Sequence, residues 1–211
     1  MRYLYNPPWI IKRLFGNYFW ESSNGQILLT FDDGPNPGTT EELLILLKEK
    51  KIKALFFCLG ENVKRYPELC QKILDEGHSI GNHTYSHKKI NEVSREEIDK
   101  ELSLTNNLLK EICNYEIKYF RPPHGRFTFS TNKILHKHKL KNVMWSLLTW
   151  DYKGDYNVVK KSIFNYLKKN SIVVLHDSDK TKNILIDSVN LIIEEAWKRN
   201  FKIGEPTTCL K

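Results

Sequence analysis

Along this chain, short apolar runs alternate with longer segments whose apolar residues recur every three or four positions. The runs Gln26–Phe31, Lys53–Leu59, His78–His83, Lys118–Arg121, Asn142–Leu148 and Ser171–His176 predict strands, with Phe201–Ile203 a further candidate. The segments Thr40–Lys50, Glu61–Glu76, Ser94–Cys113, Thr131–Lys139, Asn157–Lys169 and Asn183–Arg199 predict helices. The third opens with a capping box, Ser94-Arg95-Glu96-Glu97, ahead of the apolar positions Ile98, Leu102 and Leu109. Strict alternation of strand and helix predicts an α/β fold with a parallel sheet inside and helices outside. No repeat or low-complexity linker divides the chain. Its 211 residues fit an N-terminal extension, residues 1–25, packed on one domain, residues 26–211.

Composition narrows the function classes. Hydrophobic residues make up 40% of the chain and aromatics 12%, enough for a sizeable core and too much for disorder. The formal charge of +8 favours anionic partners, but the lysines are dispersed over helices and loops rather than gathered into an arm, so a nucleic-acid partner is not expected. Cys58, Cys70, Cys113 and Cys209 are widely spaced with no CxxC pair, and Cys58 lies inside the apolar run Leu55–Leu59. Pro7-Pro8 and Lys12-Arg13 interrupt the N-terminal apolar residues before they reach signal-peptide length, and no stretch approaches a membrane span. A cytoplasmic location is the default expectation.

The stretch Thr30-Phe31-Asp32-Asp33-Gly34-Pro35 places two adjacent carboxylates at the end of the first predicted strand. Like charges side by side are costly unless something positive sits beside them, and Asp-Gly and Gly-Pro also mark a turn. The other polar residues decide the matter. His83 ends the third predicted strand, Arg121 the fourth and His176 the sixth, while Asp151 follows the fifth. In a closed α/β barrel those strand ends gather on one face, where active sites are built. His83 and His87, four residues apart, share a face if their segment opens a helix and can then chelate one ion. Two imidazoles with one carboxylate form the ligand set of a catalytic zinc-type site. A divalent cation makes the adjacent carboxylates tolerable, one binding it and the other free to take a proton from the attacking water. His176 is the natural group to return a proton to the leaving group.

TFDDGP (Thr30–Pro35), HTYSH (His83–His87), RPPHG (Arg121–Gly125), WSLLTWDY (Trp145–Tyr152) and VLH (Val174–His176) occur in the order of the polysaccharide deacetylases, the family-4 carbohydrate esterases, which this chain resembles from about Gln26 to Asp177. The resemblance implies a distorted (β/α) barrel of seven parallel strands with outer helices, and a catalytic domain over residues 26–211. It implies Asp32 as catalytic base and Asp33, His83 and His87 as the ligands of one divalent transition metal ion, zinc first, with cobalt, nickel or manganese as alternatives. Arg121 would pair with Asp32 and hold it ionised and oriented, and the backbone N–H of His124 would stabilise the oxyanion. His176 would be the general acid, with Asp151 raising its pKa and fixing its tautomer. Pro123, Tyr152 and Leu175 would wall the pocket for the acetyl methyl. His124 stands where the family usually has Tyr, Leu148 where it often has Asp, Tyr152 where it often has Trp, and Val174 where it has Leu.

The implied activity is metal-dependent removal of N-acetyl groups from a GlcNAc-containing poly- or oligosaccharide, releasing acetate. An O-acetyl esterase or deformylase acting on another sugar would use the same apparatus. A catalytically silent glycan-binding module would have no need of the acid–base pair. The partner expected is the acetylated glycan, with no nucleic acid and no membrane span.

Overall fold

In the computed structural model, which describes residues 4–211, seven strands form one parallel sheet. They are β1 (Leu28–Asp32), β2 (Leu55–Cys58), β3 (Ser79–Asn82), β4 (Tyr119–Phe120), β5 (Lys141–Asn142), β6 (Leu147–Leu148) and β7 (Ile172–His176), in the spatial order β5-β4-β3-β2-β1-β7-β6. The helices are α1 (Trp9–Leu14), α2 (Thr40–Glu49), α3 (Gly60–Arg65), α4 (Pro67–Asp75), α5 (Arg95–Cys113), α6 (Thr131–Lys137), α7 (Tyr156–Tyr166), α8 (Leu185–Lys198) and α9 (Pro206–Cys209). The sheet curls into the distorted barrel of seven strands that the family resemblance implies. Among the described residues no helix is long and apolar enough to cross a membrane.

The central strands are buried on both faces, and their period of two sorts side chains between them. Leu29, Phe31, Phe56, Cys58, Val173 and Leu175 join the core under the helices. Leu28, Leu55, Phe57 and Ile172 fill the barrel interior with Tyr119 and Val143. Thr30 and Asp32 share the parity of Leu28, and Val174 and His176 that of Ile172. The polar residues at the tips of β1 and β7 therefore belong to the interior face.

Three predicted elements differ. The single strand over 142–148 is two short strands at opposite edges of the sheet, β5 and β6, joined by residues 143–146. Five peptide steps from Asn142 to Leu147 span at most about 17 Å, so the two edges nearly meet. The backbone leaves the ladder there because the Arg121 guanidinium takes two of its carbonyls, Nε donating to Val143 O (2.9 Å) and Nη2 to Met144 O (2.8 Å). The helix over 61–76 is broken into α3 and α4 at Tyr66-Pro67, since proline has no N–H to continue the ladder and holds Tyr66 out of helical geometry. The candidate strand Phe201–Ile203 makes one isolated bridge, Ile27 to Ile203.

The N-terminal segment closes the seam between the sheet edges. Phe19 bridges Val143 and Glu21 bridges Ser171, while Tyr5 stacks on Tyr166 at 4.8 Å. Phe15, Tyr18, Trp20 and Met144 form their own buried cluster beneath it.

Candidate metal centre and active site

Asp32 is the last residue of β1, and Asp33 follows with φ 79°, in the left-handed region. That reversal lets two consecutive carboxylates face one cavity, which an extended strand would forbid. Gly34 is required next because a Cβ there would stand 2.1 Å from Asp177 Oδ2. Asp177 is buried, accepts from Thr40 Oγ1 at 2.5 Å, and donates its own N–H to Asp32 O at 3.1 Å. Burial, reinforced by the charges of Asp33 and Asp32, pushes its carboxyl up to about 8.

His83 and His87 meet as the spacing predicts, but not on a helix. Residues 83–88 form an irregular loop, and Thr84 and His87 take φ of 67° and 59°. Positive φ is strained for side chains other than glycine, and here α5 holds it in place. Asn82 Oδ1 accepts the Thr84 N–H (2.7 Å) while its Nδ2 donates to Leu102 O (3.1 Å) and Asn106 Oδ1 (2.8 Å). The buried Glu101 carboxylate accepts the N–H groups of Tyr85 (2.9 Å) and Ser86 (2.8 Å) and the Ser86 hydroxyl (2.8 Å). Neither Asn82 nor Glu101 stands out in the sequence. A carboxylate at a position with helical apolar spacing (Ile98, Leu102) is the one signal that Glu101 turns inward.

The His83 Nδ1 donates to Arg121 O at 2.8 Å, which leaves the Nε2 lone pair aimed into the cavity. Burial drives this imidazole down to about 3, so it is neutral at any ordinary pH. Asp33 Oδ1 faces His83 Nε2 at 3.6 Å and His87 Nε2 at 3.3 Å, yet it is buried and hydrogen-bonded to neither. Two ligand atoms each about 2.1 Å from a tetrahedral ion stand about 3.4 Å apart. Asp33, His83 and His87 are the group of donors among the described residues close enough to hold an ion, all three atoms lying within 4.8 Å of one another. An orphaned buried carboxylate oxygen between two ring nitrogens fits a divalent cation.

Arg121 is fully buried under Asp32. Its Nη1 donates to Asp32 Oδ1 (2.8 Å) and to Thr30 Oγ1 (2.7 Å), and its guanidinium lies over the Phe57 ring at 4.2 Å. Each guanidinium nitrogen has an acceptor, so the charge is fixed in place. On the adjacent strand β7, His176 Nδ1 donates to Asp151 Oδ1 at 2.8 Å, and the His176 N–H to Asp151 Oδ2 at 2.7 Å. Burial alone would lower the His176 pKa, but the Asp151 carboxylate outweighs it and the group is pushed up to about 9. The dyad thus holds a proton on Nε2, the atom left facing the cavity.

A cavity of about 440 Å³ gathers Asp32, Asp33, His83, His87, His124, Tyr152 and His176 on its walls, with Arg121 and Asp151 directly behind. The His124 ring lies 4.6 Å from that of His87, and its N–H has no hydrogen-bond partner among the described residues. Pro123 and Leu175 do not reach the wall. Leu175 alternates with His176 along β7 and packs under the helices, so Val174 lines the cavity in its place, and Pro122 lines it where Pro123 was expected. The cavity continues through His124, Gly125, Trp145, Leu148 and Tyr152 into an apolar groove of about 920 Å³ bounded by Pro7, Pro8 and Ile11 of the N-terminal segment and by Phe127 and Phe129.

The polysaccharide deacetylase family model matches residues 21–143. A peptidoglycan-N-acetylglucosamine deacetylase of Bacillus cereus is 33% identical over 157 residues, 74% of this chain and 57% of that protein, so the chain spans little more than half of that relative. The crystal structure of the Bc1960 peptidoglycan N-acetylglucosamine deacetylase, in complex with 4-naphthalen-1-yl-N-oxidanyl-benzamide, superposes with a TM-score of 0.88 at 28% identity, covering 96% of each chain. A pseudoenzyme of the same esterase family from Bacillus anthracis superposes with a TM-score of 0.82 at 25% identity, covering 91% of this chain and 68% of that one. With the fold, the ordered motifs and these matches in agreement, this chain belongs to the polysaccharide deacetylase family.

Proposed function

We propose that this protein is a metal-dependent hydrolase that removes N-acetyl groups from a GlcNAc-containing glycan and releases acetate. The observation that carries the reading is the buried, unpartnered Asp33 Oδ1 held between two imidazole nitrogens, beside a second carboxylate that an arginine already occupies. Asp33, His83 and His87 would hold the ion; their imidazole and carboxylate donors suit zinc, cobalt, nickel or manganese. When bound, the ion supplies Lewis acidity, acidifying the attacking water and polarising the acetamide carbonyl.

The chain's own groups do the rest. Asp32, held by Arg121 on Oδ1, presents Oδ2 to take the proton of the attacking water. The His124 N–H donates to the carbonyl oxygen as negative charge develops there. His176 passes its Nε2 proton to the departing nitrogen, and Asp151 stabilises the imidazolium before transfer. The products are acetate and a free amine on the sugar. Trp145, Trp150 and Tyr152 offer aromatic faces along the groove for further sugar rings.

Acetate release measured on chitooligosaccharides, peptidoglycan fragments and acetylated xylan, with and without added zinc, tests this reading. Metal-dependent release from one of the N-acetylated glycans is expected. Release from xylan alone would reassign the chain to O-acetyl esters, and no release from any, in protein shown to hold metal, would make it a binding module.

A further inference from the structure

Three of the four cysteines gather on the helix side of the sheet, and none of them lines the cavity. Cys58 lies on β2, Cys70 on α4, and Cys113 is the last residue of α5. Cys70 and Cys113 approach to 3.9 Å between Sγ atoms although 43 positions separate them in the chain. Cys58 Sγ is instead turned towards Phe56 O of its own strand, at 3.9 Å. Cys58 and Cys70 are fully buried, whereas Cys113 is partly exposed and precedes Asn114, which ends the helix in the left-handed conformation. A thiol at a helix terminus can change rotamer without disturbing a helical interior. The trio does not form a metal site, since the close donor set among the described residues is Asp33, His83 and His87.

We propose that Cys70 and Cys113 form an intramolecular disulfide by exchange with a low-molecular-weight disulfide such as oxidised glutathione. The Cys113 thiolate attacks one sulfur of the oxidant, forming a mixed disulfide and expelling one small thiolate. The Cys70 thiolate then attacks Cys113 Sγ and expels the second. Two protein thiols lose two electrons, one external disulfide gains them, and the two protons end on the released thiols. Burial raises the pKa of both cysteines, so exchange is slow near neutrality and quickens as pH rises.

The cross-link joins α4 to the end of α5, and the loop it closes contains β3, His83, His87 and Glu101. Asn82 and Glu101 already tie the metal-binding loop to α5, and the Ile80 N–H donates to Tyr115 Oη just beyond that helix (3.2 Å). The disulfide therefore closes a covalent ring around the scaffold of two of the three metal ligands. In a reducing compartment the pair remains a dithiol; in an oxidising one it stabilises this half of the site.

The test is equilibration of the full chain with oxidised glutathione at mildly alkaline pH, followed by intact mass, peptide mapping and thermal melting. Expected are the loss of two hydrogens, a linked Cys70–Cys113 peptide pair, and a rise in Tm of roughly 5–15 °C that dithiothreitol reverses. Cys113→Ser is expected to melt like the reduced wild type and to show neither the mass loss nor the rise. Four free thiols after equilibration, a glutathione adduct left on Cys113, or a link through Cys58 would each overturn the proposal. The wild-type peptide map decides even if a variant folds poorly.

Discussion

Asp32 and His176 occupy the same register position on adjacent parallel strands, β1 and β7. Each is the final residue of its strand, and each is backed by a buried group of opposite charge: Arg121 behind Asp32 and Asp151 behind His176. A proton acceptor and a proton donor are thereby fixed side by side by sheet pairing, on the wall of the cavity that holds the Asp33–His83–His87 centre. This is the arrangement that amide hydrolysis needs, because one proton must leave the water and another must reach the nitrogen.

The pH profile should report the His176–Asp151 dyad. With His176 raised to about 9, the donor stays protonated through neutrality, and the rate should fall only as pH climbs towards that value. A bound ion weakens the part due to Asp32 and Asp33 but not the direct Asp151 bond. In Asp151→Asn, burial acts without the carboxylate, so the falling limb of kcat should move down by about two pH units or more and kcat at pH 8 should drop at least about tenfold. An unmoved limb would remove Asp151 from this role.

Asp177 should make the metal-free protein less stable as pH rises. Its folded pKa of about 8 lies above the ordinary carboxylate value, so the folded state holds a proton that the unfolded chain releases from about pH 4 upward. Stability linked to this group is present in full below pH 4 and is lost progressively up to about pH 8. Asp177→Asn keeps an acceptor for Thr40 and has no proton to lose. Melting curves of chelated protein between pH 5 and 8 should therefore be flatter for the variant than for wild type, and parallel curves would contradict the linkage.

Much of this site is legible in the sequence because strand ends announce themselves: an apolar run stops at a polar residue, and the fold brings the stops together. Asp32, His83, Arg121 and His176 are found that way. That Val174 rather than Leu175 faces the cavity is legible too, since His176 facing inward obliges its neighbour on the strand to face outward. The crossing at residues 143–146 is hidden because Val143-Met144 looks like strand interior until Arg121 is seen to need their carbonyls. Glu101 and Asn82 are hidden for a different reason. Their partners are backbone N–H groups of a loop, and a loop's path leaves no periodic trace.

Glu101 should matter to the ion without touching it. Glu101→Ala removes three acceptor contacts from the strained loop that carries His83 and His87. Metal affinity should fall about 10–100-fold, as for other groups that orient ligands. The rate at saturating metal should fall much less. Competition with a fluorescent chelator measures the first and acetate release the second; unchanged affinity would show that the loop holds itself.

The central claim is that Asp32 and Asp33, adjacent in sequence, have separate duties. Asp33→Ala removes a ligand, so the protein should lose both bound metal and rate. Asp32→Asn retains size and the Arg121 contact but takes up no proton, so it should keep its metal near wild-type stoichiometry and lose about 10²–10⁴ in rate. Elemental analysis of both variants beside acetate release measures this directly. Metal-replete, slow Asp32→Asn beside metal-poor Asp33→Ala is the predicted result. A metal-free Asp32→Asn with a metal-replete Asp33→Ala would reverse the assignment, and undiminished rates in both would contradict it altogether.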